Sequence, residues 1–294
     1  MIDKQSITPL KKLWRLALYI GFGILVSLAL SAAFMPLLYD VNMGTYFIAL
    51  QNGEADWLPE ASRLMAALQQ ICTFLIPGWI FYYLHHKKET KKSYSQKLFL
   101  YVVALNILSI PIVEMAFYIN QFLPTEWLKD DLVTNTLFLE QILIGEGYTT
   151  QIINIIILCV LPAIGEELVF RFGLQKHILS KTTLGPAGAI LVTSLVFSFI
   201  HFDAAGFLPR FVLALVLGAS YYFSRTLLVP ILFHLFNNYM AYLQMKFGDS
   251  DNLVPEYFYV NTWITVGIVL ICVVLLIKVL MHMSTQNKRV LNEQ

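Results

Sequence analysis

The chain has 294 residues, of which 57% are hydrophobic and only 13% charged, and its formal net charge is +1. A soluble domain carries about 25% charged residues, so the composition excludes one, and a near-neutral chain gives no reason to expect a nucleic-acid partner. The reading left is an all-α polytopic membrane protein: about 20 apolar residues are needed to cross roughly 30 Å of hydrocarbon, and several stretches supply them.

The first apolar run, from about Leu13 to Leu38, follows Lys4, Lys11, Lys12 and Arg15. It is too long for the core of a cleaved signal peptide and reads as an uncleaved anchor. A loop with Asp40, Glu54, Asp56 and Glu60 leads to a second span, Ser62 to Leu84. The connection His85-His86-Lys87-Lys88-Glu89-Thr90-Lys91-Lys92 is the most basic part of the chain and reads as a solvated loop rather than a metal site. The third span, Leu98 to Tyr118, contains Asn106, Pro111 and Glu114, the last taken as an interfacial carboxylate. From Thr125 to Ile144, Leu128, Leu132, Leu139, Ile142 and Leu143 recur at helical spacing, with Glu126, Lys129, Asp130 and Asp131 clustered early. That pattern predicts an amphipathic helix lying on the membrane surface.

Span four starts near Thr150 and is closed by Arg171, Lys176, His177 and Lys181; spans five to eight run from Pro186 to Phe202, Phe207 to Phe223, Leu227 to Leu243 and Trp263 to Met283. About eight spans make a single membrane domain over residues 1–294, with no soluble domain, internal repeat or low-complexity linker. The basic segments (the N-terminus, Lys87 to Lys97, Arg171 to Lys181, Arg225, and Lys288 with Arg289) alternate with acidic or poorly charged loops, which puts them and both termini in the cytoplasm. Cys72, Cys159 and Cys272 all fall in apolar segments and read as buried small hydrophobes.

Polar residues inside such spans need a reason, because charge in apolar surroundings is unfavourable unless compensated. Glu166, Glu167 and Arg171 lie in span four, Phe197 and His201 in span five, and His234, Asn237 and Asn238 in span seven. Glu167 and Arg171 are four apart, acid before base, and can pair along one helix face. Glu166 is turned about 100° away from that face and is the candidate base. A structural Glu167–Arg171 pair locking two helices explains those two residues equally well, but it does not explain Glu166. Pro162, four residues before Glu166, is expected to kink or open the helix where water must enter.

A lone histidine in an apolar helix is more often a hydrogen-bonded core residue than a catalyst. Here His201 follows Phe197 by four residues and can be held against its ring, while His234 and Asn238 share a face by the same spacing. Counting about 1.5 Å per residue from the cytoplasmic ends puts Glu166 roughly 18 Å deep, His201 roughly 20 Å and His234 roughly 10 Å, which predicts one cavity lined by all three. The chemistry reads as hydrolysis. A desolvated glutamate accepts a proton from water, His201 helps orient and deprotonate it, and His234 and Asn238 donate N–H groups to a developing oxyanion. Ser194, Ser198 and Cys159 lack a base partner in sequence, so no nucleophilic side chain is required.

Glu166-Glu167-x-x-x-Arg171, Phe197-x-x-x-His201 and His234-x-x-x-Asn238, in that order on successive membrane helices, resemble the motifs of the CPBP intramembrane proteases. That group includes the type II CAAX prenyl endopeptidases and the bacteriocin-processing or Abi proteins. The resemblance covers about Thr150 to Leu243, the catalytic core helices. It implies glutamate-dependent, metal-independent proteolysis in a cavity open to the cytoplasm and bilayer. By it, Glu166 and His201 activate water, His234 and Asn238 stabilise the oxyanion, and Glu167 and Arg171 support the site. The expected partners are the lipid bilayer and a peptide or membrane-protein substrate, lipidated or not; the expected setting is a bacterial plasma membrane. Three other readings stay open: a zinc-dependent version using glutamate and two histidines, a non-enzymatic scaffold of the same fold, and a transporter, disfavoured by the lack of a repeated half.

Overall fold

The structure is a computed structural model that describes residues 8–53, 55–86, 97–123, 129–248 and 262–292. Most of the basic connection (87–96), Glu54, Glu126 and the side chains of Lys129, Asp130, Asp131, Lys288 and Arg289 lie outside what it describes.

Among the described residues every regular element is helical, so the protein is all-α. Ten helices follow in order: α1 Pro9–Tyr39, α2 Met43–Asn52, α3 Leu58–His85, α4 Leu98–Asn120, α5 Lys129–Leu143, α6 Tyr148–Lys181, α7 Gly185–Phe199, α8 Phe207–Ser224, α9 Leu228–Phe247 and α10 Thr262–Asn292. Six of them (α1, α3, α4, α6, α8 and α10) are long and apolar enough to cross a membrane. Their outward faces are built accordingly: Trp14, Leu18, Phe22 and Leu25 of α1 are all more than half exposed, as expected of side chains that meet lipid. The protein is therefore a polytopic integral membrane protein.

Two of the eight expected spans fall short of that standard. Helix α7 has 15 residues and rises only about 22 Å. Helix α9 is long enough, but His234, Asn237, Asn238 and Gln244 dilute its apolar character. The acidic loop after the first span is not all loop either. Asn42 caps α2 by accepting the Thr45 N–H at 3.0 Å, Gly53 ends it with φ 71°, and Tyr46 and Leu50, one turn apart, are both buried.

The chain divides into two compact units, the first formed by residues 1–88 and 140–193, the second by 89–139 and 194–294. In the first, α1 carries small residues Gly23, Ser27 and Ser31 at four-residue intervals on its buried side. They let α1 approach α3 so closely that a Cβ at Gly23 would overlap the Cys72 carbonyl oxygen. Helices α3 and α6 meet in the same way: a Cβ on Gly78 would lie 2.8 Å from Leu168 Cβ, and one on Gly165 would lie 2.9 Å from the Leu75 nitrogen. A polar junction closes one end of this unit. Buried Arg63 of α3 donates from Nε to Asn154 Oδ1 at 3.0 Å and also to the Ile144 carbonyl, while Asn154 Nδ2 donates to the Ile142 carbonyl at 2.8 Å.

The second unit has its own core. Val102 and Leu105 of α4, Leu213, Val216 and Leu217 of α8, Val229 and Phe233 of α9, and Leu276, Leu280 and Met283 of α10 pack together. Cys72, Cys159 and Cys272 are free thiols, the first two buried and the third half-buried.

Candidate active site

The carboxylates stand on an unusual piece of helix. Proline at position 162 has no N–H to give and its ring crowds the carbonyl four residues back. Helix α6 stays continuous by widening: Ile156–Val160 forms a π turn, in which the Leu161 N–H reaches back to the Ile156 carbonyl. A short α-helical stretch, Leu161–Glu167, follows, and a second wide stretch runs from Leu168 to Ile178. The same device precedes Pro77 in α3, where Ile71–Leu75 is the π turn. So the expected disturbance at Pro162 is present as a bulge within an unbroken helix.

Glu166 and Glu167 close the α-helical stretch, 4% and 0% exposed. Arg171, fully buried, donates from Nε to Glu167 Oε2 at 2.9 Å. The pair forms at the four-residue spacing expected, and mutual neutralisation is what makes its burial tolerable. Glu166 occupies the position between Glu167 and Gly165, the residue at which α3 comes close to this turn.

The histidines belong to the second unit. Helix α7 stops at Phe199, so His201 lies just past it and not inside a span ending at Phe202. The reason is local. The His201 and Phe202 N–H groups reach back only three residues, to the Ser198 and Phe199 carbonyls at 3.4 and 3.1 Å, and Phe202 then takes φ 48°. A left-handed phenylalanine cannot continue a right-handed helix. His201 nevertheless stays against Phe197, and it makes a bond that the spacing did not foretell: its Nδ1 is 2.7 Å from the Phe197 carbonyl oxygen. A carbonyl only accepts, so Nδ1 carries the hydrogen and the neutral ring has its lone pair on Nε2.

Phe197, 1% exposed, is in ring contact with both imidazoles. Its ring centroid is 5.1 Å from that of His201 and 5.9 Å, edge-on, from that of His234. His234 is buried in α9, and Asn238, one turn further along, is half-buried, as is Asn237. The Ser198 hydroxyl donates to the Phe207 carbonyl at 2.6 Å, which commits it to holding the loop.

That loop is held by residues no motif singles out. Asn120, at the end of α4 and 3% exposed, donates from Nδ2 to the carbonyls of Ala204 and Ala205, each at 2.8 Å, and accepts the Leu208 N–H at 2.9 Å. Asp203 accepts the Ala205 and Gly206 N–H groups and binds Arg210 at 2.7 Å. An aspartate two residues past a histidine, followed by Ala-Ala-Gly, is a readable turn signal. The part played by Asn120 is not readable, since its partners are 84 to 88 positions away.

Residues 148–240 match the family model described as type II CAAX prenyl endopeptidase Rce1-like. No curated protein and no solved structure matches the chain. The matched stretch runs from the start of α6 into α9 and takes in Glu166, Glu167, Arg171, Phe197, His201, His234 and Asn238. Over residues 148–240 the chain is accordingly similar to the type II CAAX prenyl endopeptidase Rce1-like family, a likeness that supports a CAAX-type membrane protease.

Proposed function

We propose that the protein is an intramembrane endopeptidase in which Glu166 and His201 activate a water molecule and His234 and Asn238 hold the oxyanion. Water gives a proton to the Glu166 carboxylate, and its oxygen bonds to the carbonyl carbon of the scissile peptide. N–H groups of His234 and Asn238 stabilise the negative oxygen of the tetrahedral intermediate. The proton then passes to the leaving nitrogen as the C–N bond breaks. His201 orients and polarises the water, while Glu167, Arg171 and Phe197 support the groups that react.

The observation that carries this reading is the bond from His201 Nδ1 to the Phe197 carbonyl. It fixes the tautomer in which Nε2 accepts a proton, which is what an assisting base requires. The substrate we propose is a peptide or membrane-protein segment, with a prenylated CAAX tail the first to try. The proposed setting is a bacterial plasma membrane with both termini in the cytoplasm. No metal ion is assigned a role, so cleavage by chelator-treated, metal-analysed protein is the expected result; loss of activity restored by zinc would replace this mechanism with a metal-dependent one.

The experiment compares the membrane peptidome of cells expressing the wild type with that of cells expressing Glu166→Ala or His201→Ala. Products present only with the wild type are expected, with all three proteins accumulating equally in the membrane. If both variants still make the products, the assignment of Glu166 and His201 is wrong.

A further inference from the structure

We propose that Asn120 is a positioning residue for His201, a role that rests on the reading of His201 as the assisting base. The loop between α7 and α8 is strained and over-determined. Three non-glycine residues among those described have positive φ: Asp40, Phe202 and Arg225. Asp40 and Arg225 are ordinary helix C-caps, of α1 and α8. Phe202 caps nothing in that way, being three residues beyond the end of α7 and directly after His201. A bulky side chain in the left-handed region costs about 1–3 kcal/mol and persists only where its surroundings hold it.

Asn120 is what holds it from outside the loop. Its carboxamide has two N–H donors and one oxygen, and all are used within one short stretch: the donors on the Ala204 and Ala205 carbonyls, the oxygen on the Leu208 N–H. Leu208 is the second residue of α8, and the residue before that helix, Gly206, has no side chain to cap it. Asn120 therefore supplies the missing N-cap from another helix and also ties down the carbonyls just before it. No other side chain of this size both donates twice and accepts. Asp203 and Arg210 brace the loop from within, so the position of His201 is set by α7 on one side and by Asn120 on the other.

The test reads the His201 ring directly. The full-length protein is labelled with 15N in its histidine rings and studied by nuclear magnetic resonance in lipid nanodiscs, with the His201 signals assigned by their loss in His201→Gln. In the wild type His201 is expected as the single Nδ1–H tautomer. In Asn120→Ala and in Asn120→Asp, which fills the same volume but cannot donate, a mixture of tautomers in exchange is expected. Alongside it, kcat for a cleaved peptide is expected to fall about ten-fold or more in both variants with KM little changed, since a displaced group affects turnover more than substrate binding. An unchanged His201 spectrum in both Asn120 variants overturns the positioning role whatever the cleavage result. Wild-type cleavage by His201→Gln overturns instead the catalytic reading on which the role rests, and leaves the spectral result to stand for the loop alone.

Discussion

Arg171 Nε and Glu167 Oε2 meet at 2.9 Å with both side chains fully shielded. Removing one partner of such a pair leaves the other charge buried, a loss of roughly 3–5 kcal/mol. Glu167→Ala is therefore expected to unfold far more readily than the wild type in detergent titrations, with Glu167→Gln intermediate because it keeps a hydrogen-bond acceptor. Equal stability of Glu167→Ala and wild type would show that the pair holds nothing together.

Glu166 should behave in the opposite way. Glu166→Gln keeps shape and volume, so its unfolding curve should lie close to the wild type. Its turnover should fall by about 10²–10⁴, the range that a general base contributes. A Glu166→Gln enzyme that turns over normally would move the base elsewhere.

Two glycines of α1 provide an internal control on helix packing. Gly23→Ala forces a methyl group onto the Cys72 carbonyl and is expected to cost about 1–3 kcal/mol in unfolding experiments. Gly21→Ala, two residues earlier, meets nothing within 4 Å and should be neutral, or stabilising by up to about 1 kcal/mol. Equal effects at the two positions would argue against the close approach of α1 and α3.

Asn154→Leu removes both the acceptor of the Arg63 Nε and the donor to the Ile142 carbonyl. Leaving such groups unsatisfied costs about 1–3 kcal/mol, more where one of them is charged. The variant should unfold early, and hydrogen exchange should rise first around residues 142–145. Protection unchanged there would assign the stability of that junction to other contacts.

Phe197→Leu retains most of the buried volume but removes the ring that contacts both imidazoles. Its unfolding free energy should change by less than about 1.5 kcal/mol while kcat drops about ten-fold. A variant with full turnover would reduce Phe197 to packing.

Long apolar runs were enough to find α1, α3, α4, α6, α8 and α10, because a spanning helix must satisfy its own backbone and announces itself by length. The Glu167–Arg171 pair and the Phe197–His201 ring contact were legible for a similar reason: in each the two residues are four apart, about one helical turn. Helix α2 is harder to read although Asn42 and Gly53 bracket it, since its ten residues bury only Tyr46 and Leu50 and are too few to cross a membrane. Arg63, Asn120 and Asn154 were missed on firmer grounds. None belongs to a spaced motif, Arg63 and Asn120 bind across 81 to 91 positions, and Asn154 binds the backbone of another element. The end of α7 was misplaced because the left-handed turn at Phe202 has no glycine to signal it.

The brevity of α7 has a consequence for the supply of the second reactant. A helix rising about 22 Å cannot match roughly 30 Å of hydrocarbon. A span this short is accommodated by local thinning of the bilayer, by snorkelling of its flanking residues or by association with other helices, and thinning brings headgroups and their water closer to the helix ends, one of which precedes His201. Under the proposed water-activated mechanism the length of this one helix bears on hydration, and lengthening α7 by a turn of leucines and alanines is expected to lower turnover without touching any of the proposed catalytic residues.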